Sequence, residues 1–99
     1  MRSRLELHKL LKTFADNVYF QPPASISMQY PAIRYSVNDV FTLYSDNHAF
    51  LEYRAYQIIV IDKDPDSKIY EKLLELPMCS FDRMYTADNL NHYVLTLYY

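Results

Sequence analysis

No glycine occurs anywhere in this chain of 99 residues. Glycine enters positive φ without steric cost and lets a backbone approach a bound phosphate closely. Its absence excludes glycine-rich phosphate loops and dinucleotide-binding fingerprints outright. Turns must instead be built from Asn, Asp, Ser and Pro. These residues cluster at Asp16-Asn17, Pro22-Pro23, Asn38-Asp39, Ser45-Asp46-Asn47 and Asp88-Asn89, and so divide the chain into short segments.

The segments carry readable periods. Leu7, Leu10, Leu11 and Phe14 recur at helical spacing with Glu6, Lys9 and Lys12 between them, which predicts an amphipathic helix over about 2–15. VYFQPP is a short β-type run cut by two prolines, so it reads as an edge strand or an extended lead-in. AIRYSV reads as a strand. VFTLY can continue it, but SDNHAF has no clean period, and Asn38 to Phe50 is expected to contain a long loop. LEYRAYQIIVID is the strongest strand, and Ile58 to Ile61 is apolar on both faces, as in a central strand covered on both sides. MCSFDRMYTADNLNHYVLTLYY reads as two strands around an ADNLN turn, with a final strand held in a sheet to its aromatic end.

Between the long strand and this last pair lie Asp62, Asp64 and Asp66. Taking Asp62 as the first position of a calcium loop puts Ser67 where glycine is needed and Leu73 where a bidentate Glu is needed, so that loop fails at both. A helix start accounts for the spacing. Asp64 is expected to be the N-cap, Pro65 the first helical residue, and Ile69, Leu73 and Leu76 the buried stripe that Pro77 ends.

At this length the chain fits one compact domain, residues 1–99, with one core. No apolar run reaches the roughly 18 residues needed to cross a bilayer, and charges run through the N-terminal stretch, so the protein is expected to be soluble and unsecreted, without a membrane partner. A formal net charge of −2 argues against a phosphate-gripping nucleic-acid binder. Cys79, the one cysteine, forms no internal disulfide, and His8, His48 and His92 sit on three separate segments with no second ligand at regular spacing. No cofactor is expected. Eleven tyrosines suit half-buried sheet faces and also the cores of subunit interfaces.

The order helix, two strands, loop, long strand, helix, two strands predicts an α+β fold, a mostly antiparallel sheet of four to five strands with two helices packed on it. VYFQPP, YPAIRY, YQIIVIDKDPDS and DRMYTADNLNHYVLTLYY, which together span nearly the whole chain, resemble the small neck proteins of tailed bacteriophages, of the tail terminator or tail completion (minor capsid) type. That resemblance implies a non-enzymatic virion protein, assembled in the host bacterial cytoplasm, that forms a ring, typically a hexamer. The ring caps the tail tube and joins it to the head connector, and the resemblance transfers no catalytic residues.

In such a ring Phe41, Tyr44 and Phe50 are expected to anchor the Asn38–Phe50 loop on a neighbour, with Tyr98 and Tyr99 as further interface residues. Asp39 and Asp46 are expected to face a channel through which genome DNA slides without specific binding. The alternatives are another head-tail joining protein, a completion, stopper or adaptor subunit, or a small metal-dependent hydrolase using Asp62, Asp64 or Asp82. A single-strand binder using exposed tyrosines as stacking platforms is a third class, and the net acidity counts against it.

Overall fold

The computed structural model describes residues 3–45 and 48–99, with the side chains of 41, 43–45 and 48–53 outside that description. The element order is α1 (Arg4–Lys12), β1 (Asn17–Phe20), β2 (Ala32–Ser45), β3 (His48–Asp62), α2 (Ile69–Leu73), β4 (Cys79–Ala87) and β5 (Leu90–Tyr98). The strands form one sheet in the order β1-β2-β3-β5-β4, parallel only between β1 and β2. This is the expected α+β architecture.

α1 starts where Ser3 caps it: the Ser3 hydroxyl accepts the Leu5 N–H at 3.1 Å, Glu6 sits in the first turn, and Lys9 and Lys12 sit near the last. Leu7 and Leu11, one turn apart, are fully buried against the sheet. Cross-strand partners share a face, so the register sorts the core into rows. Ile33, Val60 and Tyr93 form one row, Tyr35, Ile58 and Leu95 the next, and Tyr56 and Leu97 a third. All are buried and pack with Leu7, Leu11 and, from α2, Leu73. Ile61 and Val94 lie on the opposite face and are buried too. β3 is therefore central and apolar on both sides, as its composition predicts.

Two expectations are corrected. The stretch from Asn38 to Phe50 is not a long loop: β2 runs to Ser45, β3 resumes at His48, and Ser45 pairs with His48. Apolar partners recur along this ladder, Phe41 with Tyr53 and Leu43 with Leu51, and the turn formers Asn38, Asp39 and Ser45 lie within β2. Nor is Asp64 the cap of α2, whose N-cap is Lys68. The Asp64 carboxylate instead accepts the Asp66 N–H at 2.9 Å, just as Asp62 accepts the Asp64 N–H at 3.0 Å, so the aspartates build two successive turns before the helix. The buried Ser67 accepts the Ile69 N–H at 3.3 Å and leads the chain into a helix of five residues.

The missing glycine has a visible cost. The β4–β5 hairpin turns on Asp88 and Asn89, at φ 53° and 60°, the two positive values that a tight two-residue hairpin requires. Asn and Asp tolerate this region better than other side chains. Asn89→Val is expected to lower stability by about 1–2 kcal/mol in urea unfolding, while Asn89→Gly leaves it unchanged or raises it. A valine tolerated without loss would contradict the turn assignment.

α1 is also tied to the sheet by a polar cluster. Arg4 Nη1 donates to the Tyr35 hydroxyl at 3.2 Å, and Arg4 Cζ lies 4.4 Å from the Phe20 ring centroid. That hydroxyl sits 2.7 Å from His8 Nδ1. Arg4 can only donate, so the Tyr35 oxygen accepts from it, and the direction of the bond to His8 follows the imidazole tautomer. Burial lowers the His8 pKa, and Lys12 and Arg4 add to the shift. With the folded value below the unfolded one, the unfolded chain binds the proton more readily. The contribution of His8 is therefore present above about pH 6.5 and is lost as pH falls through its folded value. The melting temperature is expected to decline between pH 7 and 5, and to decline less in His8→Gln; an unchanged slope in that variant would remove His8 as the cause.

Candidate functional site

Two surface features stand out. The first is an arm. β1 pairs with β2 only as far as Tyr35, and β5 pairs with β3 only from Ala55 inward. Beyond these points Phe41–Ser45 and the residues facing it from His48 to Tyr53 have only each other as ladder partners among the described residues. Five residues at about 3.3 Å each carry this ribbon about 17 Å past the body of the sheet. The molecule is correspondingly long, 51 × 27 × 22 Å, with a radius of gyration of 14.5 Å, against about 13 Å for a compact domain of this size. Two-stranded ribbons are marginal in water without a third strand or a covering surface.

Phe41, Tyr44 and Phe50, the expected loop anchors, lie on the strands of this arm, and their side chains are outside the description. Asp46 falls outside the described residues. Asp39 is exposed where the β2 register shifts, and its carboxylate accepts the Val40 N–H at 2.8 Å.

The second feature is an apolar groove of about 160 Å³, floored by Leu10, Leu76 and Leu97 and flanked by Met78, Tyr98 and Tyr99. α1, the segment after α2 and the end of β5 converge here. Tyr98 is 40% exposed, and its N–H donates to Met78 O at 3.1 Å. Tyr99 exchanges backbone hydrogen bonds with Arg54 at 3.0 and 3.3 Å, so the C-terminal strand is held to its last residue and the groove adjoins the base of the arm. Met78 adopts φ 60° and is 56% exposed. A large non-glycine residue there costs of order 1–3 kcal/mol of strain.

Of the sequence-predicted interface residues, Tyr98 and Tyr99 thus meet in one groove, while Phe41, Tyr44 and Phe50 belong to the arm. Sequence reasoning misses the groove's other walls. Pro77 signals the end of a helix, but nothing in the sequence marks Met78 as left-handed, or places Leu10 of α1 beside Leu97 of β5.

The remaining candidates have local explanations. Burial, with Asp82 nearby, pushes the Cys79 thiol above its ordinary pKa, away from thiolate chemistry. The His92 ring stacks on Tyr85 at 4.6 Å, and its Nδ1 lies 3.1 Å from Leu90 O. Among the described residues no group of three or more His, Cys, Asp or Glu is placed to hold a metal ion, and no helix is long and apolar enough to cross a membrane. Compared with known proteins, the chain matches no family model, no curated protein and no solved structure.

The roles of Ser67 and Asp64 separate in stability. Ser67→Ala removes a buried acceptor and is expected to cost about 1 kcal/mol, more than Asp64→Ala at the exposed turn. Urea midpoints in the reverse order would restore Asp64 as the residue that starts α2.

Proposed function

We propose that the protein is a non-enzymatic structural subunit of a tailed-bacteriophage neck, of the tail-terminator type, which forms a ring on the tail tube and joins it to the head connector. The observation that carries this reading is the arm. A ribbon that leaves its own core and ends about 17 Å away, at about 3.3 Å per residue, gains little for an isolated domain and much for a subunit that reaches a neighbour.

A cyclic head-to-tail assembly needs two unlike, complementary patches on each copy. The arm, with Phe41, Tyr44 and Phe50 in its strands, and the groove at Met78, Tyr98 and Tyr99 are such a pair. In this reading the arm of one copy seats in the groove of the next. Exposed Tyr and Met are residue types enriched in interface cores. Asp39, exposed and without a cationic partner among the described residues, suits a channel wall that repels DNA and lets it slide. The partners are other copies of the chain, the tail-tube protein and the connector protein, and the setting is the virion neck. The phage assignment itself rests on the sequence resemblance.

Replacing residues 41–53 by Asn-Gly joins Val40 to its ladder partner Arg54 across a two-residue turn, shortens the arm and leaves the core rows named above intact. The shortened protein is expected to melt within a few degrees of the wild type, because none of those core residues is removed, but to lose co-sedimentation with tail tubes. Full co-sedimentation of the shortened protein would exclude the arm as the joining element.

A further inference from the structure

We infer that the free protein pairs with a second copy of itself, edge to edge about a two-fold axis, through β4. This concerns the isolated subunit and does not rest on the neck reading. The outer strand of a sheet presents unpaired N–H and C=O groups and templates further pairing unless something blunts it. The two edges of this sheet differ in that respect.

On one side β1 has four residues and runs into Pro22-Pro23. Where β2 emerges beyond β1, the Val37 N–H donates to Gln21 Oε1 at 3.2 Å, and the Gln21 N–H donates to Tyr35 O at 2.9 Å. That edge is closed at the point where a new strand would begin. On the other side β4 has nine residues, CSFDRMYTA, with neither Lys nor Pro. Among the described residues, no side chain bonds its outer backbone groups. Its large apolar side chains remain in water: Phe81 is 44% exposed, Met84 48% and Tyr85 40%. A two-fold pairing uses the same edge of both copies, so a second copy extends this sheet through its own β4.

The charges select the register. A two-fold antiparallel pair sets one residue against itself at its centre. Centring on Asp82 or Arg83 opposes like charges, which destabilises a cross-strand pair. Centring on Met84 sets Met84 against its counterpart and brings Arg83 of each copy opposite Tyr85 of the other. Arg83 has no carboxylate partner among the described residues and already lies 5.9 Å from its own Tyr85 ring, so the pairing gives each guanidinium a second aromatic face. The register shift between Phe81 and Arg83 falls outside the central rungs. Centring on Tyr85 is also free of like charges, but the end of β4 at Ala87 confines that pair to five rungs, against seven around Met84, of which the outer four take in Phe81 and Asp82 at the register shift.

Light scattering of the 99-residue protein from about 1 to about 500 µM tests the pairing by mass action. The mass is expected to rise from one chain to two. Met84→Lys opposes two cations at the axis on a half-exposed position, and is expected to weaken the dimer at least ~10-fold with an unchanged circular dichroism spectrum. Met84→Cys, oxidised in a Cys79→Ser background, is expected to form a covalent dimer, because directly opposed Cα atoms lie about 4.5–5.5 Å apart, within disulfide reach. Thr86→Cys, which faces Asp82 in this register, is expected to stay uncrosslinked. A monomer at the highest concentration would overturn the inference. So would a dimer that Met84→Lys leaves intact and Met84→Cys does not trap. Because the readout is the mass of the free protein, that failure leaves the neck reading standing, and absence of binding to tail tubes leaves this inference standing.

Discussion

The structure depends on the hydrogen-bonded ladder of β3 between β2 and β5. One run of four apolar residues, Ile58 to Ile61, occupies the middle of the sheet and feeds both of its faces. Ile58 and Val60 receive α1 and α2, and Ile61 is buried on the far side, where it lines a hollow with Pro22 and Met28. Burying such side chains is worth about 1.5–3 kcal/mol each. The helices add little without this strand, since α2 has five residues and α1 nine, both below the length at which a helix persists alone in water.

Once β3 is fixed, its excess length becomes the arm. The strand has fifteen residues, but β5 reaches only from Ala55 to Asp62 along it. Everything described before Arg54 extends past β5 with β2 as its ladder partner. The sheet thus has a body with two helices on one face and a ribbon that runs beyond it. This division, set by where β1 and β5 stop, lies behind the proposal of a subunit built to be completed by others.

Much of this was legible in the sequence, and the failures have physical causes. The period of Leu7, Leu10, Leu11 and Phe14 located α1, and Asp88-Asn89 located the last hairpin, because each signal is local. The arm is hidden because Ser45, Asp46 and Asn47 are turn formers and SDNHAF has no clean period. Only cross-strand pairing shows Phe41 opposite Tyr53. Asp64 misled because an Asx turn and a helix cap use the same carboxylate-to-N–H bond two residues on, and Ser67 decides between them by being buried. The groove at Met78 and Tyr98 was out of reach, since it depends on three elements meeting in space.

The central claim is that this protein acts by docking its surfaces on copies of itself and on neighbouring virion parts. Negative-stain imaging of the wild-type protein mixed with purified tail tubes tests it most directly. The account predicts closed rings of uniform diameter seated at one end of each tube. Bare tube ends, with the protein remaining as small free particles at saturating concentration, would contradict it.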